Sequence, residues 1–234
     1  MNEYVFRDGG KVALRVPDND PTVERILGHS RFWLGMDLGR SDPSALVLLH
    51  DEQLPVYDGS RQVLGQRTRT VVWADRMADT AYTDLSRHVA VLLAKHHLHG
   101  RTKFIIDASG LGQPFSDVLT EGGIEHYAAT MTAGQAWKKK GRKITVAKNI
   151  LLETLATGFE TGALTIAHDL PLKEQLLTEV QSFELGQTSA GNLILQGGGK
   201  GHHADMAIAL ALAYFGSEEV MEPIIEVARL SGFY

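Results

Sequence analysis

The sequence predicts one α/β domain in which helices flank a mixed sheet. Three observations carry that reading: three apolar runs precede the first helix-period stretch, strand and helix patterns alternate after it, and the composition is globular. The chain has 234 residues, of which 44% are hydrophobic and 22% charged, enough to bury a full core without staples.

The elements follow in order. Residues 1–30 are polar, and Gly9-Gly10, Pro17 and Pro21 break any period, so they read as an extension or linker with partial disorder. Phe32 to Leu38 is apolar apart from Asp37, and Ala45 to Leu49 is a second apolar run. The turn residues Gly39 to Pro43 between them make a hairpin signature. Thr70 to Ala74 offers a third strand, and Leu85, Val89, Leu92 and His96, after Tyr82, mark one face of a helix. Lys103 to Asp107 is a short apolar run ending in an acid, which reads as a buried strand feeding a helix around Pro114 to Leu119. Ile124 to Met131 reads as a strand, and Lys139-Lys140-Gly141 turns a basic ribbon that returns through Ile144 to Val146. Leu151, Leu152, Leu155 and Phe159 mark an amphipathic helix. Ala163 to Ala167, Leu172 to Phe183, Leu193 to Gln196 and Ala204 to Phe215 read as strand, helix, strand and helix. The domain is placed at 31–216, with 217–234 as a docking helix or tail.

Composition excludes whole classes of function. There is no cysteine, which removes disulfides, thiolate zinc sites, iron–sulfur clusters and thiol nucleophiles. The longest apolar run, Met206 to Phe215, is too short to span a bilayer, and residues 1–30 carry no hydrophobic signal core. A cytoplasmic protein without membrane contact is expected. Gly197-Gly198-Gly199-Lys200-Gly201 has neither the spacing nor the hydroxyl of a phosphate loop, and Phe115 stands where a dinucleotide fingerprint needs its third glycine. Ser109 is not framed as a nucleophile elbow.

The net charge of −5 argues against a uniformly basic nucleic-acid binder. Its distribution is uneven. Between Glu125 and Glu153 no acid occurs, whereas Lys138, Lys139, Lys140, Arg142, Lys143 and Lys148 supply six positive charges. Such an island on an acidic body suits one stretch of phosphate backbone, and a solvated basic turn is the plainer alternative.

Three aspartates sit where a carboxylate is expensive. Asp37 interrupts an apolar strand, Asp107 ends another, and Asp205 heads a helix that is apolar on every side. Few cations lie near them in sequence, and buried carboxylates are paired, hydrogen-bonded or metal-bound. If the three converge, an oxygen-only ligand set suits Mg²⁺ or Mn²⁺. Each also has a local reading: Asp37 as a turn residue, Asp107 as a helix cap, Asp205 as a helix-dipole acid. His203, beside Asp205, is a candidate to orient a phosphate, ligate weakly or cap the last helix. The group His96, His97 and His99 reads as the exposed end of a helix.

Residues 35–49 (GMDLGRSDPSALVLL), 103–119 (KFIIDASGLGQPFSDVL) and 199–215 (GKGHHADMAIALALAYF), with 144–166 and 169–184 between them, resemble in order the nuclease domain of bacteriophage terminase large subunits. The resemblance covers residues 32–215. It implies a ribonuclease H-like fold: a mixed sheet of five strands, or slightly more, flanked by helices, the first three strands antiparallel. It implies an endonuclease that cuts double-stranded DNA during genome packaging. Asp37, Asp107 and Asp205 would hold two divalent ions, Mg²⁺ or Mn²⁺, with His203 in support and Lys138, Lys139, Lys140, Arg142, Lys143 and Lys148 on the DNA. The implied partners are a terminase ATPase domain or subunit, the small terminase and the portal, in the bacterial host cytoplasm. The family's third motif commonly reads His-Asp-Asp, whereas His203-Ala204-Asp205 lacks one acid, which bears on the second ion. A Holliday-junction resolvase-like nuclease, an actin-like nucleotide-binding protein and a catalytically inert docking module are the alternative readings.

Overall fold

The computed structural model describes residues 2–15, 26–39, 43–78, 80–110, 112–187, 193–197 and 204–220. In chain order the strands are β1 (Tyr4–Phe6), β2 (Lys11–Leu14), β3 (Leu27–Asp37), β4 (Ser44–Gln53), β5 (Pro55–Asp58), β6 (Arg61–Leu64) and β7 (Thr68–Met77). Helix α1 (Tyr82–Leu93), β8 (Thr102–Asp107), α2 (Gly112–Glu121), β9 (Tyr127–Thr132), β10 (Trp137–Lys140) and β11 (Lys143–Ala147) follow. The series continues with α3 (Lys148–Glu160), β12 (Leu164–Ile166), α4 (Lys173–Gln181), β13 (Phe183–Gln187), β14 (Leu193–Gly197) and α5 (Asp205–Phe215), which runs into a π-helical turn, Gly216–Val220.

Ten strands join in one mixed sheet, in the order β10-β11-β9-β8-β3-β4-β7-β12, with β1 and β2 attached through β3. β3, β4 and β7 run antiparallel, while β8 lies parallel to β3 and β9 parallel to β8. The sheet is therefore larger than five strands. Part of the excess comes from residues read as an extension: β1 and β2 pair with each other, and β2 pairs with β3 through Lys11, Val12 and Ala13. Gly9-Gly10, read as an interruption, is the turn of that hairpin, both glycines at positive φ. The basic ribbon supplies β10 and β11, with β10 on one outer edge. β5–β6 and β13–β14 form separate two-stranded pairs.

The two faces of the sheet bury different residues because side chains alternate along each strand. Leu34, Met36, Leu46, Leu48, Phe104 and Ile106 pack with Leu85, Val89 and Phe115 of α1 and α2. Trp33, Ala45, Val47 and Ile105 face the other way, against α5, with α3 among the same cluster. Helix α5 touches the sheet on one side and α3 and α4 on others, which is why every residue from Met206 to Phe215 is buried. No helix among the described residues is long and apolar enough to cross a membrane.

A charge cluster ties the start of β3 to the end of the chain's last described turn. Asp51, fully buried, accepts from Arg31 Nε (2.8 Å) and Arg67 Nε (2.7 Å) and lies 3.1 Å from His29 Nε2. Arg67 also donates to the Ser217 carbonyl at 2.6 Å, and Arg69 pairs with Glu218. Burial alone would raise the Asp51 pKa, but the hydrogen bonds from His29 and Arg67 and the charges of Arg67 and Arg31 hold it well below the carboxylate range.

Candidate active site

Asp37 ends β3 and Asp107 ends β8. These strands are parallel and in register through Met36 and Ile106, so the two carboxylates stand side by side on neighbouring strands, which lie about 4.8 Å apart. Both fall on the α5 face, because their pairing partners Ala45 and Ala129 belong to that face.

Gly35 brings the third acid in. A Cβ at this position would lie 1.9 Å from the Ala209 carbonyl oxygen and 3.0 Å from the Ala213 side chain, so α5 rests directly on the β3 backbone. Trp33 meets Gly216 at the other end of the same contact, which sets α5 antiparallel to β3. From Gly35 to Asp37 the strand advances about 6.6 Å, and from Ala209 back to Asp205 the helix covers about 6 Å. Asp205 is thereby carried to the level of Asp37.

The electrostatics agree with this placement. Burial first, then the charges of Asp107 and Asp205, push the Asp37 carboxyl up to about 8, against the Leu38 N–H and Lys148. Burial also raises Asp107, although Ser109 hydrogen-bonds it and Lys148 opposes the shift. The Ser109 N–H donates to Asp107 Oδ1 at 2.8 Å, and the Ser109 hydroxyl oxygen accepts from the Met131 N–H at 2.9 Å, which ties the acid to β9.

Two further residues enter that sequence reasoning missed. Asp37 pairs with Ala45 and Ala45 with Arg76, so Arg76 on β7 shares their face, with only a small side chain between. Its Nη2 lies 3.1 Å from Asp205 Oδ2 and 3.5 Å from Glu179 Oε1. Glu179, buried on α4, accepts through Oε2 from the N–H groups of Met206 (2.8 Å) and Ala207 (3.2 Å), capping α5. Burial raises the Glu179 carboxyl in spite of Arg76 and those two N–H groups. The available signal was an acid at the core spacing of α4, three residues after the buried Leu176. Arg76 left no local trace, since the cations that face these acids come from β7 and α3.

Among the described residues, no three or more His, Asp or Glu side chains are grouped closely enough to hold a metal ion as they stand. The aspartates share one edge, and Asp205 commits Oδ2 to Arg76. Oxygen donors with an excess of negative charge nevertheless fit a divalent cation in kind. His203 lies outside the described residues.

The basic residues divide. Lys138, Lys140 and Lys143 are exposed on the β10–β11 hairpin. Lys139 donates through Nζ to the Val220 carbonyl at 3.0 Å, and Arg142 pairs with Glu125 at 2.7 Å. Lys148 opens α3, where the helix dipole disfavours a cation, and its charge acts on Asp37 and Asp107. It is thus a neighbour of the acids as well as of the hairpin. Lysines on an outer strand also discourage edge-to-edge pairing, so the island serves the fold in any case.

The fold matches that of phage large terminase nuclease domains. The large terminase nuclease from thermophilic phage G20c superposes with a TM-score of 0.52 at 22% identity, covering 89% of each chain. The same nuclease has been solved with bound magnesium, at a TM-score of 0.50, 24% identity and coverage of 89% and 88%. In sequence the chain resembles the terminase large subunit of Thermus virus P23-45, at 27% identity over 152 residues. That stretch is 65% of this chain and 27% of the relative, so the chain matches about a quarter of the curated protein's length. No family model matches.

Proposed function

We propose that the chain is a metal-dependent endonuclease that cuts double-stranded DNA during phage genome packaging. The observation that carries this reading is the convergence of Asp37, Asp107 and Asp205 from two strand ends and a helix start, with Asp37 pushed up to about 8 by burial and by the other two. A site that crowds carboxylates so closely is short of positive charge.

Asp37, Asp107 and Asp205 would hold two divalent ions, Mg²⁺ or Mn²⁺. A divalent ion bound there supplies an activated water and stabilises charge on the leaving oxygen of a phosphodiester. The chain's own residues do the rest. Ser109 orients Asp107, and His203 is assigned a supporting role. Lys138, Lys139, Lys140, Arg142, Lys143 and Lys148 position the duplex through phosphates, contacts that carry no base information; Lys139 then exchanges the Val220 carbonyl for a phosphate. The chain matches 27% of a terminase large subunit, and by its resemblance to that family it would work beside an ATPase domain or subunit, with the small terminase and portal, in the host cytoplasm. Residues 31–216 would be the core of the nuclease module, to which β1, β2 and the start of β3 add from the 1–30 segment and Ser217 to Val220 add from the 217–234 segment.

The test is cleavage of supercoiled plasmid at low salt with Mg²⁺, Mn²⁺, Ca²⁺ or EDTA, with Asp107→Ala alongside. Nicked and linear products with Mg²⁺ or Mn²⁺ only, lost in the variant, are expected. No product from folded parent protein in any metal overturns the reading, and a strong preference for four-way junctions moves it to a resolvase.

A further inference from the structure

We infer that Arg76, locked by Glu179, is a positioning residue: a fixed cation that holds the Asp205 carboxylate at the acidic edge and tempers the charge of the cluster. The inference rests on the nuclease reading above and adds to it a residue far from any of its motifs.

Four observations meet at Arg76. It lies on the same sheet face and in the same cross-strand row as Asp37, across the small Ala45. Its Nη2 reaches both Asp205 Oδ2 (3.1 Å) and Glu179 Oε1 (3.5 Å), and the three side chains are 19%, 18% and 7% exposed. Arg76 Nε and Glu179 Oε1 are buried with no hydrogen-bond partner, so the charge of Glu179 Oε1 is met by the ion pair with Arg76 Nη2 rather than by a hydrogen bond. Glu179 meanwhile grips the first N–H groups of the helix that carries Asp205. One carboxylate therefore fixes both the helix start and the guanidinium that faces its first side chain.

Such an arrangement acts on metal and on chemistry with opposite signs. A guanidinium beside Asp205 lowers the net negative charge that a divalent ion meets, which weakens ion binding. It also confines the Asp205 carboxylate, and misplacement of a reacting group by about 1 Å costs on the order of a hundredfold in rate. A residue that merely supported the fold would weaken binding and cleavage together.

The experiment measures Mn²⁺ affinity of the full chain without DNA, by calorimetry or by the electron paramagnetic resonance of free Mn²⁺, alongside plasmid cleavage at saturating Mn²⁺. Arg76→Gln should bind Mn²⁺ about tenfold more tightly, the effect of one unit charge about 6 Å from a divalent ion at water-like dielectric. It should cleave at least tenfold more slowly. Arg76→Lys should bind Mn²⁺ as the parent does and recover part of the rate. Glu179→Gln keeps an oxygen for the helix N–H groups but drops a negative charge, so it should weaken Mn²⁺ binding. If Arg76→Gln binds and cleaves like the parent, or if the Arg76→Gln and Glu179→Gln affinities move in the same direction, the inference is wrong. Should Arg76→Gln fail to fold, Glu179→Gln decides alone, and unchanged or tighter Mn²⁺ binding overturns it. Mn²⁺ binding by the parent that Asp107→Ala abolishes keeps the nuclease site standing whatever Arg76 does; a parent that binds no Mn²⁺ removes both.

Discussion

Gly35→Ala adds one methyl group at the point where α5 touches β3. In isolation the change should stabilise, because alanine in a strand interior is better than glycine by about 0.5–1 kcal/mol. Packing reverses the sign. The new Cβ would sit 1.9 Å from the Ala209 carbonyl oxygen, where ordinary contact begins at 3.4 Å, so helix and strand must part by about 1.5 Å. Neither is a flexible tip, since Ala209 is fully buried in mid-helix and β3 is hydrogen-bonded along both edges. Overpacking of this kind costs roughly 1–3 kcal/mol, which in a chain of this size lowers Tm by about 2–12 °C. The same displacement passes one turn along α5 to Asp205, so cleavage should fall on the order of a hundredfold even well below the melting point. Thermal unfolding by circular dichroism and plasmid cleavage at 20 °C below the variant's Tm read the two effects separately. A variant that melts at or above the parent temperature and cleaves at the parent rate refutes the placement of α5 on Gly35.

Three other outcomes are expected. A folded-state acid at about 8 binds its proton more tightly than the same acid unfolded, near 3.8, so metal-free stability falls as pH rises from about 4 to 8. Asp37→Asn should flatten that slope, raise Tm at pH 8 and abolish cleavage; an unchanged slope across a pH series of melts contradicts the crowding of the three acids. Asp51→Asn leaves Arg31 and Arg67 facing a neutral group and should destabilise by about 3–5 kcal/mol, measured by urea unfolding. Because the Asp51 carboxyl is held low in the fold, its contribution is present above its unfolded pKa of about 4 and fades as pH falls below it. Replacing Lys138, Lys140 and Lys143 together with alanine should weaken duplex binding and reduce the slope of log affinity against log salt by about 2.7, or 0.9 per phosphate contact; fluorescence anisotropy at several salt concentrations gives the slope, and an unchanged one places the DNA elsewhere.

Much of the architecture is written locally. A carboxylate inside or at the end of an apolar run is conspicuous because its neighbours announce the burial, so Asp37 and Asp107 are legible from FWLGMD and KFIID. Asp205 is legible from the apolar decapeptide it precedes. The hairpin of β10 and β11 shows as a glycine between lysine-bearing strands. Short strands among turn residues do not announce themselves in this way: β1, β2, β5 and β6 are three or four residues each, too few for a period of two to stand out. The Gly9-Gly10 pair illustrates the ambiguity, since it ends an element or joins two according to what lies on either side.

By itself, then, the sequence determined the order of the longer strands and helices from β3 to α5, the helix that must be buried on all sides, and three acids whose ionisation needs compensation. Only the tertiary structure decided what compensates them. Arg76 stands 129 residues from Asp205, and the arginines around Asp51 reach a turn about 150 residues further on. Periodicity and turn chemistry act over one or two turns of chain, whereas an ion pair depends on which strands become neighbours, and that is settled when β3, β4 and β7 line up and α5 comes to rest on Gly35.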